Sequence, residues 1–157
     1  MYIGNIVVLA LLAFIGITIF KGVRIVPQGY KWIIQRLGKY HTTLNPGLNF
    51  VIPYIDEVAY KITTKDIVLD IPSQEVITRD NAVLVMNAVA YINLTTPEKA
   101  VYGIENYTWA IQNLVQTSLR SIVGEMDLDD ALSSRDHIKA KLKAAISDDI
   151  SDWGITL

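Results

Sequence analysis

The side chains able to do chemistry in this 157-residue sequence are carboxylates, lysines, hydroxyls and two histidines; cysteine is absent. That removes disulfides, thiolate nucleophiles and cysteine-ligated zinc at once, and leaves the redox compartment undetermined. His41 and His137 lie far apart, with no H-E-x-x-H or comparable ligand spacing, so each reads as a surface or partly packed residue rather than a metal ligand. Asp127-Leu128-Asp129-Asp130 concentrates carboxylates, yet it lacks the glycine and final glutamate of a calcium loop and reads as helix capping in a solvated turn. Neither a phosphate-cradling glycine loop nor G-x-S-x-G occurs. Asn93-Leu94-Thr95 and Asn106-Tyr107-Thr108 match the glycosylation sequon, which matters only in a eukaryotic lumen. With no nucleophile, base and orienting group at a recognisable spacing, the expectation is a protein that is not an enzyme and needs no cofactor.

The distribution of charge says more than its kinds. The net charge of −2 gives no electrostatic footprint for nucleic acid. From Lys21 to Ile55 the ionised residues are basic (Lys21, Arg24, Lys31, Arg36, Lys39), and the first carboxylate is Asp56. From Pro97 onward the balance reverses, ten acidic against six basic. Near the end, Lys139, Lys141 and Lys143 precede Asp148, Asp149 and Asp152. On one helix this order opposes the macrodipole, an effect of roughly 0.3 to 1 kcal/mol per charge, and Asp148 with Asp152 forms a like-charged i,i+4 pair. Two readings stand: solvated surface charges, or contacts to oppositely charged sites on neighbouring subunits. The second makes Lys139, Lys143, Asp148, Asp149 and Asp152 candidate oligomer contacts.

The elements that must position these groups begin with residues 1–20, MYIGNIVVLALLAFIGITIF. The run has no charged side chain and as a helix covers roughly 30 Å, the thickness of a bilayer's hydrocarbon core. Ile6, Val7, Val8, Leu9, Leu11, Leu12, Phe14, Ile15, Ile17, Ile19 and Phe20 form the candidate membrane anchor, with Lys21, Arg24 and Lys31 as its juxtamembrane basic flank. A cleaved signal peptide fits poorly, because no basic residue precedes the apolar run and no A-x-A site follows it. Basic charge on the C-terminal side alone predicts a single pass with the following domain in the cytoplasm. The strictly apolar core from Ile6 to Ile17 is short, so a shallow or re-entrant insertion stays open beside the full span.

Residues 1–22 are therefore expected as the anchor and 23–157 as one domain. From Val23 to Thr95 the pattern is strand-like, with strands expected at Tyr30–Arg36, Leu48–Ile52, Glu57–Ile62, Asp66–Ile71, Gln74–Thr78 and Ala82–Leu94. The last is apolar on both faces, which by default places it in the middle of a sheet covered on both sides, and otherwise at a surface that meets something else. After Thr96-Pro97-Glu98 the period becomes helical: a short helix capped by Thr96 and ending at Gly103, one from about Tyr107 to Met126, and one from about Ser134 to Trp153.

Several stretches in order resemble the SPFH (band 7) superfamily of stomatins, prohibitins and flotillins. Val26-Pro27-Gln28-Gly29-Tyr30 after an apolar anchor, Arg36-Leu37-Gly38-Lys39-Tyr40, Leu44-Asn45-Pro46-Gly47-Leu48 and Ile52-Pro53 resemble its opening. The run Asp70 to Thr78 with Asp80-Asn81 resembles the stomatin/paraslipin branch, in particular its bacterial QmcA-like members. Ser118 to Gly124, Leu132 to Asp136 and Trp153-Gly154-Ile155 continue the match. The resemblance implies an α+β fold, an N-terminal transmembrane helix followed by an SPFH domain with a twisted antiparallel sheet and packed helices. It also implies a scaffold at the inner membrane that forms a large homo-oligomeric ring or cage, organises lipid microdomains and regulates membrane proteins. The partners it implies are further copies of the chain, membrane lipids, and an NfeD-type membrane protein or an AAA+ membrane protease. The alternative it offers is a regulatory subunit of such a protease, as in the HflK/HflC branch. Members continue past the Trp-Gly-Ile element into a final strand and a long coiled coil; this sequence stops at Leu157, which leaves assembly by this chain alone an open expectation.

Overall fold

The computed structural model describes residues 2–157. They form two compact units, residues 2–64 and 65–157, and each contains its own apolar cluster.

The first unit starts with helix α1, Tyr2–Gly22. Strands β1 (Val23–Val26), β2 (Tyr30–Arg36), β3 (Lys39–Leu44), β4 (Gly47–Phe50) and β5 (Asp56–Thr63) follow. β1 pairs with β4 as a two-stranded antiparallel ribbon, while β3-β2-β5 form a separate antiparallel sheet. β2 is central, and its Ile33 and Ile34 are both fully buried although they point to opposite faces. Val26, Ile34 and Leu44 make the small core, with Trp32, Val51 and Val58 packed on it. β2 turns into β3 through Leu37 (φ 51°) and Gly38 (φ 81°), two consecutive left-handed residues as a tight hairpin turn requires. Leu37 accepts that conformation and stays 82 % exposed.

The second unit opens with the long hairpin β6 (Ile67–Ile77) and β7 (Val83–Leu94). Helices α2 (Pro97–Gly103), α3 (Tyr107–Gly124), α4 (Leu128–Ser133) and α5 (Arg135–Asp152) follow, and the two-residue strand β8 (Ile155–Thr156) pairs with the end of β7. Val76, Leu119, Val123, Ala131 and Ile138 form one core cluster, packed by Leu84, Met86, Ala88, Ile122, Met126 and Leu142, and Ile71, Ile92, Ile111, Ile146 and Ile150 are buried as well. α3 carries the apolar stripe expected of it, with Ile111, Val115, Leu119 and Val123 buried at i, i+4 spacing. Gly154 joins α5 to β8: its φ is +69°, and a Cβ there would lie 2.5 Å from the Thr96 carbonyl oxygen. That carbonyl belongs to the segment whose own N–H donates back to the Gly154 oxygen at 2.9 Å.

Four expectations change. The strands at Asp66–Ile71 and Gln74–Thr78 are one strand, β6, whose register slips at Pro72-Ser73, since proline cannot donate to the ladder and is carried in the irregularity. The β structure is divided among three sheets, and β1, β3 and β8 join the strands read from sequence. Thr96 makes no side-chain cap. β7 is apolar on both faces, but only the face of Leu84, Met86, Ala88, Ala90, Ile92 and Leu94 is covered, because the helices of this unit pack on that side alone.

Candidate membrane interface

α1 has no buried face. Its apolar side chains from Ile6 to Phe20 are 47 to 83 % exposed, and within the helix only Gly22 is buried. It is the one helix among the described residues long and apolar enough to cross a membrane. A uniformly apolar, uncovered helix has no stable home in water, whereas an amphipathic one would show a stripe. The Thr18 hydroxyl, within the apolar run, donates back to the Phe14 carbonyl at 2.8 Å, so that polar group is satisfied within the helix.

The end of α1 is fixed to the β-ribbon. Gly22 is packed so closely on the Val51 carbonyl that a Cβ would sit 2.7 Å from its oxygen, and the Val51 N–H donates to the Gly22 carbonyl at 2.8 Å. β1 begins at the next residue. Its register opposite β4 pairs Val23 with Phe50 and Ile25 with Leu48, so these four apolar residues share one face of the ribbon. Ile25, Leu48 and Phe50 are 64 to 70 % exposed. Sequence reasoning missed this face, although the alternation Val23-x-Ile25 and Leu48-x-Phe50 was there to find; four-residue strands carry too few repeats to stand out.

Tyr54 extends the interface along the helix. Its ring stacks on Phe14, centroids 6.2 Å apart, and its hydroxyl lies 3.3 Å from that of Thr18. Phe14 is eight residues before Gly22, about 12 Å along the axis. The turn that carries Tyr54 is locked from the other side. Arg36 donates to Asp56 through Nε at 2.7 Å and a terminal guanidinium nitrogen at 3.1 Å, and the Ile52 N–H donates to the same carboxylate at 3.0 Å. The Arg36 hydrogen bonds outweigh the opposing effect of burial and hold the Asp56 carboxyl down to about 2. Asp56 is the first acidic residue of the chain, and here it works as a structural clamp.

Two basic groups, Lys21 and Arg24, stand at the helix exit. Lys21 and Arg24 are exposed and Lys31 half-buried, while Phe20, Lys21, Arg24, Ile25, Trp32 and Pro53 line an open groove. Lys61 sits over the Trp32 ring, 4.6 Å from its centroid, adding a cation from β5 that sequence spacing did not reveal. The structure thus gathers Lys21, Arg24, Phe14 and Phe20 with the ribbon in one region. It leaves Lys139, Lys143, Asp148, Asp149 and Asp152 apart on α5, all exposed and with no ion pair to their side chains among the described residues.

The remaining polar clusters are structural. Arg79 holds the Asp127 carboxylate, with its Nε at 3.1 Å, and the Asp80 carboxylate accepts from the Leu128 N–H at 3.3 Å, which together fix the start of α4. Asn106 caps α3 by accepting from the Trp109 N–H at 3.0 Å, and Asn93 donates to Asp66 at 3.0 Å. His41 and His137 are exposed, and no cluster of metal-ligating side chains occurs among the described residues.

Comparison with known proteins shows the family of the chain. The chain is 38 % identical over 130 residues to the human protein named stomatin-like protein 2, mitochondrial, covering 83 % of this chain and 36 % of that protein. It is 42 % identical over 139 residues to an uncharacterised protein of Methanocaldococcus jannaschii, covering 88 % of this chain and 69 % of that one. With an uncharacterised protein of Mycobacterium tuberculosis it shares 37 % over 152 residues, 97 % of this chain and 40 % of the other. The chain thus spans about a third of the stomatin-like relatives' length. The model of the SPFH domain / Band 7 family matches residues 24–157, from β1 onward, and the chain belongs to that family.

Proposed function

We propose that this protein is a non-enzymatic scaffold, held by α1 as a single span in the cell (inner) membrane with residues 23–157 on the cytoplasmic side. Copies assemble there into a ring or cage that organises membrane microdomains and membrane-protein quality control. The observation that carries the reading is the wholly exposed apolar helix α1 followed directly by a ribbon whose Ile25, Leu48 and Phe50 are exposed on one face. Because Tyr54 reaches the level of Phe14, the turn that carries it shares the last 12 Å or so of the helix's depth. The first unit is therefore held against the membrane surface instead of hanging from a linker. Lys21 and Arg24 lie where anionic headgroups would meet them, an attraction on the order of 1 kcal/mol per charge, and they favour the cytoplasmic side.

The absence of cysteine makes the topology directly testable. With Ile3→Cys and Lys39→Cys introduced separately in the full-length protein, a membrane-impermeant maleimide should label the first in intact spheroplasts and the second only after permeabilisation. Labelling of Lys39→Cys from outside overturns the orientation. Single-particle images of the detergent-extracted protein should show discrete rings, and monodisperse monomers would overturn assembly.

A further inference from the structure

The outer face of the β6–β7 sheet has no cover. Val68, Ile77, Val83, Val85, Val89 and Tyr91 stand on it 54 to 65 % exposed, a concentration of β-branched and aromatic residues that water alone does not explain. Among them are two carboxylates and no cation. Asp70 lies opposite Val89 and Glu75 opposite Val85, so the two acids are displaced by four residues along β7, about 13 Å. Neither has an ion-pair partner among the described residues.

A complementary surface adjoins this face across the open edge of β7, where Val85, Val89 and Tyr91 border both. Beyond its pairing with β8 at Asn93 and Leu94, the second edge of β7 is open. A groove runs between that edge and α4–α5, floored by Met86, Ala88 and Leu142. Its charged lining consists of Arg135, Lys139 and Lys143, with no carboxylate. These recur every four residues on α5, and Arg135 and Lys143 are about 12 Å apart along the axis. Two cations 12 Å apart beside an apolar groove match two anions 13 Å apart on an apolar sheet face.

We infer that the β6–β7 outer face of one copy docks on the α4–α5 groove of the next, with Asp70 and Glu75 set against the Arg135–Lys139–Lys143 row. The inference rests on the assembly proposed above and names its contact. Face and groove meet along the β7 edge but present different groups, carboxylates on one and cations on the other, so the contact is heterologous, and each docked copy keeps one free face and one free groove. Anchoring every copy in the same membrane with the same orientation restricts the repeating rotation to an axis along the membrane normal. Head-to-tail contacts under that restriction stay in the membrane plane and close into a ring when the rotation per copy divides a full turn.

Charge reversal tests this on the full chain in detergent, with mass photometry as the readout. Asp70→Lys with Glu75→Lys makes both patches positive, and Lys139→Glu with Lys143→Glu makes the groove predominantly negative beside an unchanged acidic face. Each double variant should dissociate at concentrations about tenfold or more above those at which the unaltered protein does. Their 1:1 mixture should reassemble, and so should the chain carrying all four changes. Rescue by mixing is the outcome that a merely misfolded variant cannot give. If the unaltered chain assembles and the double variants assemble equally well, or if neither mixture nor fourfold variant recovers, this contact is wrong while the scaffold reading stands. An unaltered chain that stays monomeric overturns both.

Discussion

The Asp56 clamp gives the sharpest prediction, because its contribution has a sign and a pH window. The carboxylate is 2 % exposed, accepts from Arg36 and from the Ile52 N–H, and is held from its ordinary 3.8 down to about 2. A folded-state value below the unfolded one means that folding favours the charged form. The stabilisation is complete above the unfolded value near 3.8 and disappears as pH falls through about 2. At roughly 1.4 kcal/mol per tenfold in proton affinity the gap sets an upper limit near 2 to 3 kcal/mol. Arg36 is 35 % exposed, so solvent screens the pair, and on the order of 1 kcal/mol is the expected contribution. Asp56→Asn removes the charge while keeping an acceptor for Ile52. Urea unfolding of the detergent-solubilised protein, followed by near-ultraviolet circular dichroism, should show the variant less stable by that amount at pH 7. The difference should shrink from pH 4 downward and vanish near pH 2. A deficit that stays constant across the window would show that shape, not charge, holds the turn, and no deficit at pH 7 would remove the clamp altogether.

Three further outcomes follow from other joints. Gly154→Ala forces a side chain into the left-handed region and against the Thr96 carbonyl and Cβ, 2.5 and 2.7 Å away, so a loss of about 2 kcal/mol or more in unfolding free energy is expected, whereas Gly103→Ala, with open space around it, should be nearly neutral. Arg120→Ala leaves the buried Gln74 without the donor that reaches its Oε1 at 2.9 Å, while its Nε2 still donates to the Gln116 carbonyl; about 1 to 3 kcal/mol should be lost, read from chemical denaturation. Ile25→Asp combined with Phe50→Asp should leave α1 inserted but move the ribbon out of the lipid. A nitroxide at residue 48 would then change from lipid-accessible to water-accessible in power-saturation measurements, and water access at that position already in the parent protein would contradict the submerged ribbon.

Legibility in the sequence followed the length of the repeating pattern. α1, α3 and β7 run for 21, 18 and 12 residues, and in each the apolar spacing alone gave the element to within two residues. β3 escaped because Lys39, Tyr40 and His41 are exposed and only Leu44 is buried, so an edge strand reads as loop. The break expected at Pro72-Ser73 was real as a disruption of the ladder but not as an end, since the partner strand continues unbroken through Met86. The candidate interface was half legible. α1 and its basic flank were visible as composition, but the Phe14–Tyr54 stack and the Arg36–Asp56 pair join residues 40 and 20 positions apart, which no local spacing records.

The apolar outer face of β7 shows how an overturned expectation becomes informative. Alternation correctly separated Leu84, Met86, Ala88, Ala90, Ile92 and Leu94 from their neighbours, and that half of the strand meets the helices. It could not say whether the second apolar half would be covered within the chain, because coverage depends on how many layers the chain builds. Helices pack on one side of the β6–β7 sheet, so Val83, Val85, Val89 and Tyr91 remain at the surface. A long β-branched face with two unpaired carboxylates is a poor surface for an isolated monomer in water and a good one for a specific contact. The same chemistry that leaves this unit with such a face is what the proposed contact between copies would cover.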